Sequence, residues 1–272
     1  MNDNAPTVFE GDVQIVKYPR TRHVDGSRIQ TGDEDLNVVP FEQIRGRHVV
    51  VEEKIDGGNA GISFDTSANL KLQSRGHFLV GGPREKHFAL LKQWANLLID
   101  PLFTLLEDRY IMYGEWMYPW HTVFYDALPH YFMEFDIYDK QERVFLDTPR
   151  RRDLLGQLPI KQVLVLFDGQ LETIEQLTDL IGDSHFKTEN WKATFERICQ
   201  ERNIDLSLQG MVDNGRLMEG LYIKVEEGGQ VVERYKYVRA EFIQKIKDSD
   251  VHWQSRPIIP NQLSPGVDIF AL

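Results

Sequence analysis

The chain nearly lacks cysteine: Cys199 stands alone among 272 residues, which rules out an internal disulfide. Cys199 falls in a helical pattern and reads as a small core residue rather than a catalytic thiol. Long apolar runs are missing as well. No stretch of about 18 apolar residues occurs, so no membrane span is expected. Positive charge is in deficit too: 31 Lys and Arg against 42 Asp and Glu leave a net charge of −11. That balance excludes a generally basic nucleic-acid coat, and any polynucleotide contact must come from a local basic face, because neutralising phosphates needs clustered cations. The N-terminus, Met1-Asn2-Asp3-Asn4-Ala5-Pro6, lacks the basic residues and apolar stretch of a signal peptide, and the cytoplasm is the expected location. No internal repeat and no low-complexity linker is found.

What is present is enough for a substantial core. Hydrophobic residues make up 42% of the chain, with 15 Phe, 10 Tyr and 5 Trp, so an aromatic-rich interior is expected in one large domain or two small ones. Residues 20–37 are polar and read as a long loop. Residues 49–51, 60–64 and 70–73 read as short strands, and 110–116 and 130–138 as buried ones. Phe88, Leu91, Ala95 and Leu98 follow helical spacing, predicting an amphipathic helix over roughly 85–99. Thr148-Pro149 predicts a helix start. Thr173-Ile174-Glu175-Gln176 fits a capping box, with Gly182 as the helix end. Trp191, Phe195 and Ile198 mark another helix. Strands return at 221–225 and 231–238, a short helix follows at Phe242, Ile243 and Ile246, and the tail from Arg256, with Pro257, Pro260 and Pro265, reads as irregular. Strands and helices mixed without strict alternation predict an α+β fold with antiparallel sheets.

The chemistry centres on Glu53-Lys54-Ile55-Asp56-Gly57-Gly58-Asn59, which ends the apolar run His48-Val49-Val50-Val51-Glu52. A lysine at a strand end, followed by Asp-Gly-Gly, can face a phosphate, although alone the pattern also suits a surface turn. A lysine amine is protonated at neutral pH, and neighbouring cations or desolvation lower its pKa and release the lone pair. Arg234 and Lys236, in Arg234-Tyr235-Lys236, are the expected source of that positive field, which would also stabilise a transferring phosphoryl group. Gly57 and Gly58 are expected to leave room for phosphate beside the backbone. In Glu219-Gly220-Leu221-Tyr222-Ile223-Lys224, alternation puts Tyr222 and Lys224 on one face. Glu219, at the strand start, is the candidate metal-linked carboxylate, because Mg²⁺ prefers oxygen ligands and keeps several waters. Asp56 and Asn59 are candidates to position the metal or its waters, with Asp56 equally readable as a turn residue. Glu115 lies in an apolar strand and needs a partner there. His121 and Tyr125 belong to an aromatic loop that either touches substrate or packs. The run Arg150-Arg151-Arg152 either meets nucleic-acid phosphates or forms a solvated helix face.

In this order the motifs resemble those of covalent nucleotidyltransferases, the superfamily of ATP-dependent DNA ligases, RNA ligases and mRNA capping enzymes. Lys54-Ile55-Asp56-Gly57 is similar to the nucleotide-accepting motif, and the longer stretch most resembles RNA ligases that seal nicks in double-stranded RNA. Ser74-Arg75-Gly76, Tyr113-Gly114-Glu115-Trp116, Phe132-Met133-Glu134-Phe135-Asp136-Ile137, the stretch from Glu219 to Lys224, and Arg234-Tyr235-Lys236 match the later motifs, from about 50 to 240. Two positions depart: the family usually has Thr or Ser at Gly58 and lysine at Arg234.

The resemblance implies an ATP-grasp-like nucleotidyltransferase domain of antiparallel sheets flanked by helices, spanning 1–272 with an irregular tail from about 250. Lys54 would take AMP from ATP, with Lys224, Arg234 and Lys236 at the phosphates and Mg²⁺ or Mn²⁺ as cofactor, held at Glu219 and Asp56. Glu53, Asn59, Arg75, Glu115, Phe135, Glu219 and Tyr222 would hold the nucleotide, Phe135 stacking on adenine and Tyr222 covering its other side. AMP would pass to a 5′-phosphate RNA end, which a 3′-hydroxyl then attacks, in RNA repair with a possible end-healing kinase or phosphatase partner. Only about 35 residues follow Lys236, too few for the OB-fold domain of DNA ligases and capping enzymes. The alternatives are a minimal DNA ligase, a GTP-using guanylyltransferase, or a noncatalytic nucleotide- or RNA-end-binding module.

Overall fold

The computed structural model describes residues 8–10, 13–29, 32–156, 158–205, 212–242 and 257–271. Its strands are β1 (Val8–Glu10), β2 (Val13–Ile15), β3 (Arg22–His23), β4 (His48–Lys54), β5 (Gly58–Phe64), β6 (Leu70–Ser74), β7 (Tyr110–Trp116), β8 (Phe132–Asp139), β9 (Val144–Phe145), β10 (Lys161–Gln162), β11 (Val165–Gln170), β12 (Gly220–Glu227) and β13 (Gln230–Val238). The helices are α1 (Ala89–Leu97), α2 (Ile99–Leu106), α3 (Thr148–Leu155), α4 (Ile174–Thr178) and α5 (Trp191–Glu201). One sheet runs β10-β8-β7-β5-β6, with β9 on β8; the other runs β11-β4-β12-β13-β3; β1 and β2 pair with each other. All pairings are antiparallel except β10 with β8 and β13 with β3. The fold class expected from the sequence is the one observed.

Three consecutive valines place β4 in the middle of its sheet. Val49, Val50 and Val51 are fully buried, as β-branched residues suit a strand covered on both faces. The outer face of this sheet (Val49, Val51, Leu221, Ile223, Val225 and Tyr235) packs with Leu171 and Leu177 into one core. The inner face is ionic. Glu52 lies opposite Tyr222, Tyr222 opposite Lys236, and Lys224 opposite Arg234, so alternation brings all these side chains to the same side. The other sheet packs Ile62, Phe64, Met112, Phe132 and Ile137 against Leu91, Trp94, Leu102 and Leu106 of α1 and α2. Between β4 and β5 the chain passes from one sheet to the other, and the Lys54-Ile55-Asp56-Gly57 turn is that crossing point.

Several boundaries differ from expectation. The helix expected over 85–99 begins as a 3-10 turn (Pro83–Phe88), becomes α1, and is followed by α2. Pro101 falls in the first turn of α2, where its missing N–H costs no hydrogen bond. The cap of α3 is Asp147, whose side chain accepts from the Arg150 N–H; Thr148 instead donates through N–H and Oγ1 to Glu226. The Thr173–Gln176 capping box forms, but α4 ends at Thr178, before Gly182. Cys199 is buried on α5. The expected loop 20–37 contains β3. Ile243 and Ile246 lie outside the described residues. The described tail is irregular yet docked: the Asn261 side chain donates to Met117 O at 2.6 Å and accepts from Tyr125 N at 2.9 Å.

Candidate active site

A cavity of about 470 Å³ opens between the two sheets. Lys54, the last residue of β4, enters it from one side, and its Nζ lies 2.7 Å from Glu219 Oε1. Glu219 is buried immediately before β12. Gly220 is needed there, since a Cβ on it would lie 2.0 Å from the Tyr237 carbonyl oxygen. Burial alone would lower the Lys54 pKa, but Glu219, Asp56 and Glu115 outweigh it and raise it above the ordinary lysine value. This corrects the expectation of an amine depressed by cations. Lys54 is thus an ammonium held by carboxylates.

The turn after Lys54 is fixed by its polar groups. Asp56 is buried, its N–H donates to the Tyr125 hydroxyl oxygen at 2.9 Å, and its Oδ2 accepts from the N–H groups of Thr122 and Val123 at 2.6 and 2.8 Å. Asp56 is therefore a clamp on the 121–125 loop, which brings His121 to the cavity wall while Tyr125 packs beneath. Gly57 does not make room for phosphate. A Cβ there would lie 2.7 Å from Trp116 O and 2.8 Å from Met117 Sδ, so the glycine lets the turn press against the end of β7. The Gly57 N–H donates to Glu115 Oε1 at 3.0 Å.

Burial, with Asp56 and Glu219 nearby, pushes the Glu115 carboxyl up to about 8, against the opposing charge of Lys54. The folded chain thus keeps a proton that the unfolded chain has released. Its contribution is fully present below the unfolded value of about 4.3 and is lost as pH rises through the folded value. Wild type is accordingly expected to lose stability relative to Glu115→Gln between those limits. Urea midpoints of both proteins across that pH range check this; a constant difference would contradict it.

Glu53, Asn59, Arg75, Phe135, Tyr222 and Lys236 also line the cavity. Glu53 accepts from Ser184 Oγ at 2.6 Å and approaches His185 Nδ1 at 2.9 Å. Asn59 lies across from Glu115 on β5 and β7, and its Oδ1 is buried with no hydrogen-bond partner among the described residues. Arg75 is exposed and donates to Pro19 O at 3.1 Å. The Phe135 and Tyr222 rings are 6.4 Å apart at 41°. A base between two rings needs about 7–8 Å, two carbon contact distances, so the expected sandwich requires these rings to part.

Lys224 and Arg234 do not line the cavity. Lys224 is fully buried behind it, donating to Glu52 Oε1 at 2.9 Å and to Phe135 O, with Asp136 Oδ1 at 3.3 Å. Arg234 Nε lies 3.1 Å from Asp136 Oδ2, and its guanidinium stacks 3.8 Å over the Phe145 ring. Arg234 is therefore turned to Asp136 and not to the cavity that Lys54 enters. Of the Arg150–152 run, Arg152 is exposed and the middle residue is corrected. Arg151 is buried, 2.9 Å from Glu52 and 3.7 Å from Glu134, so neither phosphate contact nor a solvated face describes it. Tyr18, Thr21, Asp33 and Glu52 line the cavity without having been singled out. Tyr18 donates to Asp136 at 2.5 Å and meets the Phe135 ring edge-on at 5.0 Å. Only Glu52 carried a signal, a charge ending a valine run.

A family model described as RNA ligase matches residues 47–238. The chain belongs to the RNA ligase family. Among solved structures it is similar to a Naegleria gruberi RNA ligase variant with ATP and Mn, at 20% identity and TM-score 0.50, covering 76% of this chain and 54% of that one. It is also similar to Naegleria gruberi RNA ligase with PPi, at 19% identity and TM-score 0.49, covering 92% and 64%. The first likeness shows the fold. The RNA ligase family chain spans just over half the length of that first structure. No curated protein matches it. Among the described residues no helix is long and apolar enough to cross a membrane.

Proposed function

We propose that the chain is an ATP-dependent RNA ligase that carries AMP on Lys54. The observation that carries this reading is the Lys54 amine, 2.7 Å from Glu219 at the wall of the cavity that Phe135 and Lys236 also line. Lys54 Nζ would attack the α-phosphate of ATP, forming the N–P bond as the bond to pyrophosphate breaks. Its proton must leave first, to water in the cavity. Lys236, whose pKa is lowered by burial and by Lys54 against the pull of Asp33, would receive phosphate charge. AMP would then pass to a 5′-phosphate RNA end, and a 3′-hydroxyl would displace it to seal the strand. The family's Naegleria structure with ATP and Mn supports the choice of nucleotide and of a divalent cation.

The residues fit such a cation. No cluster of three metal-ligating side chains occurs among the described residues, but Mg²⁺ needs none, since it is bound through one or two carboxylates, waters and substrate phosphates. Glu219 and Asp56 would supply the carboxylates, and the unpartnered Asn59 Oδ1 would orient a water. The cation's charge would oppose the carboxylates that keep Lys54 protonated.

Phe135 presents a flat ring for adenine. Phe135→Ala is expected to weaken ATP binding by about 1–3 kcal/mol, read by calorimetry, with Phe135→Tyr close to wild type. Equal affinity in the alanine variant would move the base elsewhere. Sealing assays on nicked duplex RNA, nicked DNA and single-stranded RNA test the substrate class. Sealing of RNA nicks with ATP supports the reading. A preference for DNA nicks or for GTP would favour the ligase or guanylyltransferase alternative, and binding without turnover a noncatalytic module.

A further inference from the structure

The two carboxylates read as the cation's are held by different parts of the fold. Asp56 sits in the turn between β4 and β5, and its Oδ2 is fixed by the Thr122 and Val123 N–H groups of the loop that joins β7 to β8. Glu219 stands just before β12, in the sheet opposite that loop. The register of β12 on β4, with Gly220 opposite Lys54, fixes the Glu219 backbone beside the lysine but does not reach the loop.

A second path joins them. The Asp213 N–H donates to Thr122 O at 2.9 Å. The Asp213 carboxylate lies 2.7 Å from Arg239 Nη2, and the two side chains are 10% and 7% exposed. Arg239 directly follows β13. Its N–H donates to Glu219 O at 3.2 Å, and its Nε donates to Met218 O at 2.8 Å. Contacts thus run unbroken from Asp56 through Thr122, Asp213 and Arg239 to Glu219. Asp213 and Arg239 do not line the cavity, so they are not placed to touch a nucleotide there, and neither belongs to a motif that carries the family likeness. A guanidinium suits the position, because one of its nitrogens serves a carbonyl of the strand end while another holds the carboxylate. A buried ion pair adds little net stability over an apolar pair of the same shape, and its best-attested use is to fix one arrangement.

We infer that Asp213 and Arg239 are positioning residues. Their ion pair braces the loop that holds Asp56 against the strand end that holds Glu219, and so sets the spacing of the two carboxylates beside Lys54. The inference rests on reading those carboxylates as the divalent cation's. Groups that orient metal-binding side chains typically change metal affinity tenfold to hundredfold when removed, and a brace one contact farther out falls at the lower end, about tenfold.

Calorimetry on the full chain tests this with ATP in Mn²⁺ and with ATP in EDTA. Asp213→Asn and Arg239→Met each break the pair and leave one charge buried. The double variant Asp213→Leu with Arg239→Met removes both charges together, and keeps the test open should a single variant not fold. All three are expected to need roughly tenfold more Mn²⁺ for half-maximal ATP binding, with affinity for ATP in EDTA unchanged. Phe135→Ala, by contrast, should lose affinity in both conditions. Arg239→Lys, which keeps the charge, should recover part of the Mn²⁺ response. The inference is overturned if the half-saturating Mn²⁺ matches wild type, or if ATP in EDTA weakens by the same factor, since general loosening of the site would then suffice. A wild-type chain that binds ATP with Mn²⁺ but never accepts AMP would sink the proposed activity and leave the brace standing. A chain that accepts AMP while its Asp213 and Arg239 variants respond to Mn²⁺ as wild type does would do the reverse.

Discussion

Lys54→Ala is expected to take up no label from ATP labelled at the α-phosphate, a loss on the order of 10⁴-fold or more, as when a covalent nucleophile is removed. Lys54→Arg should fail equally. It keeps a positive charge beside Glu219 and so preserves the ion pair, but a guanidinium does not give up its proton in a protein. The pair of variants therefore separates loss of the nucleophile from loss of the salt bridge. Sealing of RNA that already carries AMP at its 5′ end needs no amine, so both variants should retain it. Label on Lys54→Ala would remove Lys54 from the mechanism; loss of the second reaction as well would make Lys54 a structural residue.

Arg151→Met is expected to cost about 3–5 kcal/mol of stability, the usual result of deleting one member of a buried ion pair. Arg151 is 1% exposed and lies between Glu52 and Glu134, themselves 1% and 0% exposed. Removing it leaves Lys224 as the remaining close cation of Glu52 and leaves Glu134 with the Gln162 amide at 3.2 Å and the charge of Lys224 against its burial. Glu134 is already pushed up to about 7, chiefly by burial, and loss of Arg151 would raise it further. Arg151→Lys, which keeps the charge, should cost less. Urea unfolding of the three proteins checks this. A loss below about 1 kcal/mol, the range of exposed pairs, would mean that Glu52 and Glu134 find other partners. Because Glu52 lines the cavity, the methionine variant should also weaken nucleotide binding.

Arg151 shows where the sequence stops being readable. Three consecutive arginines look alike on paper, yet successive helical residues point in different directions, and only the middle one turns inward to Glu52, about a hundred residues earlier in the chain. Strand alternation correctly placed Arg234 and Lys236 on one face. It did not reveal that Arg234 stands opposite Lys224, two residues farther from Lys54, and so serves Asp136. The apolar runs of β4, β7, β12 and β13 were legible because β-branched and aromatic runs specify buried strands locally. The motif residues Lys54, Glu115 and Phe135 were legible as charges or rings at strand positions. The sign of the Lys54 shift was not, because it depends on Glu219 and Glu115, which the fold brings beside Lys54 from other strands. Tyr18 and Asp33 carried no local signal at all: they matter because the segment before and after β3 folds over the cavity.

The central claim is most directly tested by peptide mass spectrometry of the wild-type chain after incubation with ATP and Mg²⁺. One AMP should be found on the Lys54 side chain, in an acid-labile linkage that inorganic pyrophosphate reverses to ATP. AMP on any other residue, or RNA sealed with no adduct ever formed, would contradict the account.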